Sequence, residues 1–173
     1  GFDVLLGALA ELPPEIFWYW QHVGGGSELA SLKRLAAERK LDSQISWLGP
    51  LPQEAVLSLY RQSDLFVLPS RVAADGDRDG LPNVLMEAAS QRLAIVATSL
   101  PGIGELITSD THGLLVPPDD SAALSGAIFQ AVTDPRQRTG WGNAARERVV
   151  HEFDHTDNIQ PLIALLSQDP GAS

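Results

Sequence analysis

Leu65-Phe66-Val67-Leu68-Pro69, then Pro82-Asn83-Val84-Leu85-Met86-Glu87-Ala88-Ala89-Ser90-Gln91, then Ala94-Ile95-Val96-Ala97: the order of these three segments decides the fold. The first is an unbroken apolar run ending in proline, and it predicts a strand buried on both faces. A polar stretch from Ser70 to Gly80 separates it from the second, which has the composition of a helix from about Pro82 to Gln91. The third predicts another strand. A strand, a helix and a strand within so few residues make a βαβ unit, which requires parallel pairing and a right-handed crossover.

The same alternation extends in both directions. Upstream, Phe2, Leu5, Leu6 and Leu9 recur at helical spacing until Pro13 and Pro14 stop the helix. Ile16 to Val23 is rich in strand formers and closes on Gly24-Gly25-Gly26. Ser27 is placed to cap a helix carrying Leu29, Leu32, Leu35 and Ala36 on one face. A short strand, Ile45 to Leu48, precedes Gly49-Pro50 and a helix from about Pro52 to Arg61. Downstream, Gly113-Leu114-Leu115-Val116 predicts a strand. Helices follow over Ser121–Val132, Pro135 to about Val150 and Thr156 to about Leu166, with Asp119 or Asp120 and then Asp134 as caps. The pattern is that of an α/β protein with a doubly wound parallel sheet, whose ligands bind at the carboxyl ends of the strands.

The chain has 173 residues, which suits one domain. Its 12 Lys+Arg against 22 Asp+Glu leave a net charge of −10, which opposes general attraction to nucleic acid or to anionic lipid. It contains no cysteine, so disulfides, thiolate metal sites and a cysteine nucleophile are excluded. No apolar run reaches the roughly 18 residues that suggest a membrane-spanning helix.

The segment Asp75 to Ala88 follows the buried strand and runs into a helix, at the position where such a sheet places its site. Asp79 stands in the loop and Glu87 projects from the helix body, so the two carboxylates can grip separated parts of one ligand. Carboxylates accept hydrogen bonds from vicinal hydroxyls, as sugars and ribose present them. Gly80 allows close backbone approach, and the N–H groups near Asn83 and Val84 open a helix N-terminus suited to phosphate. Taken alone, the spacing also fits a helix-capping Asp79 and a Glu87 at the surface or in an ion pair.

Asp79-Gly80-Leu81-Pro82-Asn83-Val84-Leu85-Met86-Glu87-Ala88 resembles the E-x7-E signature of retaining glycosyltransferases of family 4, with Asp in the first acidic position. Trp47-Leu48-Gly49-Pro50-Leu51-Pro52, Ser63-Asp64-Leu65-Phe66-Val67-Leu68-Pro69-Ser70, Ile95-Val96-Ala97-Thr98 with Gly102 to Glu105, and Gly113 to Asp120 resemble further family segments in the expected order. The resemblance implies the C-terminal half of a GT-B fold, a Rossmann-like domain that binds a nucleotide-sugar donor. It implies that Asp79 meets hydroxyls of the transferred sugar, usually a hexose, and that Glu87 holds the ribose. The backbone of Gly80, Leu81 and Pro82 would line the sugar, that of Asn83 and Val84 would approach the diphosphate or sugar, and the turn at Leu51 would flank the base. The NDP-sugar is a substrate, and neither cofactor nor metal is expected.

Gly1 to Leu6 resembles the helix that follows the family's first strand in this half. The first strand, an Arg and a Lys that neutralise diphosphate, and the acceptor-binding domain are therefore expected upstream. Residues 1–167 are expected to form the donor domain, with 168–173 a frayed tail. Without its upstream partner domain the chain is expected to be inactive. A cytoplasmic location is expected, with approach to the membrane through the upstream domain. The alternative is a non-catalytic sugar-nucleotide or carbohydrate-binding module.

Other motifs carry less. His151-Glu152-Phe153-Asp154-His155 matches the H-E-x-x-H pattern, which needs one continuous helix through both histidines, yet Asp154 reads as the cap of a separate helix. Asp75, Asp77 and Asp79 match half of a calcium loop, but Met86 stands where its bidentate Glu belongs. Gly24-Gly25-Gly26 lacks the Lys of a P-loop and predicts a tight turn after a strand. The four tryptophans are expected in the core, and His22 and His112 are expected to be structural.

Overall fold

The computed structural model describes residues 1–71 and 81–153. The elements follow the predicted alternation: α1 (Phe2–Ala10), β1 (Trp20–Val23), α2 (Leu29–Glu38), β2 (Ile45–Gly49), α3 (Gln53–Gln62) and β3 (Leu65–Leu68). Then come α4 (Asn83–Ser90), β4 (Ala94–Thr98), α5 (Pro101–Gly104), β5 (Gly113–Val116), α6 (Ser121–Thr133) and α7 (Pro135–Glu152). Every strand pair is parallel. The strands form two pieces, β1 with β2 and the ordered set β3-β4-β5, flanked by helices in a Rossmann-like α/β arrangement. Among the described residues, β1, β2, β3 and β5 each leave one edge without a strand partner.

β4 shows why two layers of helix are needed. Its side chains alternate between faces, as strand geometry requires. Ala94 and Val96 enter one core with Leu5, Leu6, Leu124, Ile128 and Trp141, from α1, α6 and α7. Ile95 and Ala97 enter the other with Leu85, Ala89, Ile103, Leu106 and Ala145. All five β4 residues are buried. β3 divides in the same way, Leu65 and Val67 packing on the first core and Phe66 and Leu68 on the second. It is nonetheless only half-buried along its length, against the expectation of a strand closed on both faces. β3 lies at the edge of its sheet with β4 on one side only, so the deeply buried strand is its neighbour.

Other expectations need correction. The strand predicted over Ile16–Val23 begins only at Trp20. The Ile16 N–H turns back to the Pro13 carbonyl at 3.0 Å, and Phe17 points into solvent at 95% exposure. Ser27 does not cap α2. The cap position is Glu28, with no side-chain cap bond, and the Ser27 hydroxyl donates to the Glu28 carboxylate at 3.4 Å. Asp120 rather than Asp119 caps α6, accepting from the Ala123 N–H at 2.8 Å, and Asp134 caps α7 through the Gln137 N–H at 2.9 Å. The four-residue α5 and a short 3₁₀ turn at Asp42–Gln44 add to the predicted elements. The helix expected over Thr156–Leu166, the tail 168–173, Asp154 and His155 lie outside the described residues. So do Asp75 and Asp77.

Two glycines permit close packing. A Cβ on Gly113, whose φ is +152°, would lie 2.2 Å from the Ile95 carbonyl oxygen where β5 enters beside β4. A Cβ on Gly142 would lie 2.1 Å from the Arg92 carbonyl oxygen, so α7 rests directly on the backbone leading into β4. Of the four tryptophans expected in the core, Trp141 is buried and its indole N–H donates to the Asp110 carbonyl at 3.1 Å, whereas Trp18, Trp20 and Trp47 are half-buried and pack against the first core. Gly24-Gly25-Gly26 makes the turn from β1 toward α2, with Gly24 and Gly26 both at positive φ.

Candidate nucleotide-sugar site

The first turn of α4 follows Pro82, which occupies the N-cap position in an extended conformation and supplies no side-chain cap. The earliest N–H groups of a helix have no intrahelical acceptor, so those of Asn83 and Val84 are available to a ligand. Leu85, Ala88 and Ala89 are buried, at the i, i+3, i+4 spacing that turns one face of α4 into the core. Asn83 and Glu87 stand four residues apart and therefore share another face. Val84 is exposed, Glu87 is half-buried, and Leu81 packs against the second core just before the helix.

Glu87 is reached from α3. Gln53, in the first turn of that helix, donates through Nε2 to Glu87 Oε1 at 3.5 Å. Leu51, half-buried, and Pro52, the N-cap of α3, immediately precede it. The structure thus brings the start of α3, two residues after Leu51, to Glu87, with Gln53 as the link. Farther along, Arg61 Nε donates to Gln91 Oε1 at 2.8 Å, and the Ser90 hydroxyl donates to the Glu87 carbonyl at 2.7 Å. Tyr60 packs edge-on against Phe66 with centroids 5.5 Å apart. Burial, reinforced by the negative charge of Glu87, pushes the Tyr60 hydroxyl up to about 12. The phenol is neutral at any physiological pH. Asp79 and Gly80 lie outside the described residues.

A second polar cluster was not legible in the sequence. Arg71, just after β3, donates to Asp3 of α1 and pairs with Asp119 at 3.0 Å. Burial works against the Asp3 charge, but the Arg71 guanidinium prevails and holds that carboxyl below its ordinary range. Asp119 adopts φ +60°, which turns the chain from β5 toward α6. Beside this cluster a cavity of about 460 Å³ opens between α1 and α2, lined by Phe2, Asp3, Glu28, Ser31, Leu35 and Arg71 among others. None of the described residues among those predicted for the site lines it.

Gln53 had a faint signal, as a polar residue directly after the Leu51-Pro52 turn. Arg71 had none, because its partners are remote in sequence. His22 gained partners too: its ring makes edge-to-face contacts with Phe2, Trp20 and Trp47 at 4.9–5.4 Å, and burial lowers its basicity. His112 Nδ1 accepts from the Thr108 N–H at 3.2 Å, a local structural bond. α7 ends at Glu152 with Phe153 as its cap, short of the continuous helix that the H-E-x-x-H pattern requires.

Residues 1–148 match the family described as glycosyl transferases group 1. The chain is 33% identical over 146 residues to the amylovoran biosynthesis glycosyltransferase AmsK of Erwinia amylovora, covering 84% of this chain and 36% of that protein. It is 32% identical over 170 residues to the putative colanic acid biosynthesis glycosyltransferase WcaL of Escherichia coli, covering 96% and 41%. The chain therefore spans about two-fifths of the length of these curated relatives. Among solved structures, sucrose-phosphate synthase from Thermosynechococcus elongatus superposes with TM-score 0.81 at 26% identity, over 97% of this chain and 42% of that one. Anabaena Alr3699/HepE in complex with UDP superposes with TM-score 0.85 at 23% identity, over 96% and 45%.

Proposed function

The chain belongs to the glycosyl transferases group 1 family, and from that premise we propose that it is the donor-binding half of a retaining, family 4 glycosyltransferase. The enzyme moves a sugar, a hexose in our reading, from a nucleoside diphosphate carrier to an acceptor hydroxyl. The bond from the anomeric carbon to the diphosphate breaks and a bond to the acceptor oxygen forms on the same face. The acceptor proton leaves with the departing diphosphate.

The observation that carries the reading is the approach of the Leu51 turn to Glu87, made through the Gln53–Glu87 contact beside the open N-terminus of α4. A base over the Leu51 turn would place its ribose at Glu87, whose carboxylate accepts both hydroxyls. The diphosphate then falls toward the N–H groups of Asn83 and Val84. The sugar reaches back along Pro82, Leu81 and Gly80 to Asp79, which receives its hydroxyls. The UDP complex of Alr3699/HepE supports a nucleotide ligand for this fold.

In this reading residues 1–167 form the donor domain and 168–173 a tail. Upstream of Gly1 come the first strand of this domain, the Arg and Lys that neutralise the diphosphate, and an acceptor-binding domain. Cationic stabilisation of a leaving group is a large part of catalysis, so the chain alone binds nucleotide only weakly and does not transfer. The reaction uses no cofactor besides the donor. Among the described residues no helix is long and apolar enough to cross a membrane, and we place the enzyme in the cytoplasm, approaching the membrane through its upstream domain.

Reading the coding sequence upstream of Gly1 tests the architecture: a second Rossmann-like domain ending in G-R-x-x-x-x-K supports it, and a start codon just before Gly1 favours a non-catalytic binding module. Titration of the parent enzyme, upstream domain included, with UDP- and GDP-sugars tests the site. Glu87→Ala should weaken nucleotide binding about 10- to 100-fold, the worth of hydrogen bonds to a charged group. Asp79→Ala should chiefly reduce transfer. Wild-type binding and transfer by both variants would sink the assignment.

A further inference from the structure

We propose that Gln53 is a positioning residue for the donor ribose, holding one oxygen of the Glu87 carboxylate so that the other faces the vicinal hydroxyls. The inference rests on the reading of Glu87 as the ribose acceptor and deepens it. A glutamate side chain has several rotatable bonds, and immobilising it on binding has an entropic cost. Here that cost is partly met before the ligand arrives. Gln53 Nε2 points to Oε1 of Glu87 at 3.5 Å from an exposed position in the first turn of α3. Farther along α3, Tyr60 feels the Glu87 charge, and its hydroxyl is kept protonated by burial first and by that charge second. The carboxylate therefore has an amide donor against one oxygen, and no described cation is bonded to it. An amide donor occupies one lone pair without neutralising the charge, so Oε2 and the remaining lone pair of Oε1 stay open to two hydroxyls.

Gln53 can also serve the ligand directly. Its side-chain carbonyl is an acceptor beside the carboxylate, at the junction of the Leu51 turn and the ribose position. A 2′-hydroxyl meeting Glu87 there finds an acceptor pair, whereas a 2′-deoxyribose leaves that pair without its donor. The site should accordingly discriminate ribonucleotides from deoxyribonucleotides, and Gln53 should carry part of the discrimination.

The experiment is isothermal titration of the full chain with UDP, GDP and ADP, each against its 2′-deoxy counterpart, using wild type, Gln53→Ala, Gln53→Glu and Glu87→Ala. Wild type is expected to prefer the ribonucleotide, and Gln53→Ala to lose about three- to tenfold of that preference, the worth of roughly one hydrogen bond. Gln53→Glu, similar in size but lacking the donor, should lose at least as much. The unfolding temperature of both Gln53 variants should match wild type, because the side chain is exposed. If Glu87→Ala abolishes the preference while both Gln53 variants keep it, the proposal is overturned and the Glu87 reading stands. If wild type shows no preference for any base, or no binding, the Glu87 reading fails and this inference falls with it.

Discussion

Arg71 Nη2 lies 2.9 Å from both carboxylate oxygens of Asp3, although 68 residues separate the two in the chain. The same nitrogen lies 3.0 Å from Asp119, so one guanidinium joins the end of β3, the first turn of α1 and the approach to α6. All three side chains are exposed, at 40%, 48% and 62%, which limits the worth of each pair to about 1 kcal/mol or less. Asp3→Asn and Asp119→Asn should each lower stability by less than about 1 kcal/mol in urea unfolding. Their effects should combine non-additively because they share one partner, and both should fade in high salt.

Gly140 and Gly142 stand two residues apart in α7 and should respond oppositely to alanine. A Cβ on Gly140 meets no atom within 4 Å, whereas one on Gly142 would lie 2.1 Å from the Arg92 carbonyl oxygen. Gly140→Ala should stabilise by up to about 1 kcal/mol through helix propensity. Gly142→Ala should destabilise by about 1–3 kcal/mol as α7 is forced off the backbone before β4. Thermal unfolding of the two variants checks the contrast, and equal shifts would contradict the packing described.

His22 gives stability a pH dependence of definite sign. Burial lowers its basicity in the folded state, so between its folded pKa and the unfolded value of 6.5 the unfolded chain binds more protons. Stability from this residue is complete above pH 6.5 and declines as pH falls through that window. His22→Phe should flatten this part of the stability–pH curve, and a curve unchanged by the substitution would count against a buried neutral imidazole.

Tyr60 reports on Glu87 at the other end of the scale. Its folded pKa is raised from 10.0 to about 12, by burial first and by the Glu87 charge second. The folded state therefore holds the proton longer, and the associated stability, complete below pH 10, is lost as pH rises toward 12. Glu87→Gln should bring the Tyr60 absorbance titration down toward its ordinary range without restoring it fully. A saturating nucleotide that engages Glu87 should disturb the same titration.

Much of the layout was legible because its causes are local. The spacing of Leu5, Leu6 and Leu9, the apolar run Ala94–Ala97 and the acceptors Asp120 and Asp134 act within one or two turns of chain. They predicted α1, β4 and the starts of α6 and α7 within a residue or two. For the site, local sequence placed Leu81, Pro82, Asn83 and Val84 at one helix entrance, Glu87 on the body of that helix and Leu51 in a turn.

Tertiary structure decided everything that depends on a distant neighbour. β3 and β4 are both apolar runs, and only their place in the sheet makes one half-buried and the other wholly buried. His22 is a lone histidine in sequence and an aromatic-boxed one in space, and Arg71 meets Asp3 only because β3 ends beside α1. Gln53 joins the candidate site for the same reason: α3 and α4 lie alongside each other and bring an amide within 3.5 Å of a carboxylate 34 residues away. Periodicity and capping record what a residue does to its own helix or strand. Which charges and rings meet across elements follows from how those elements stack, and local pattern carries no trace of it.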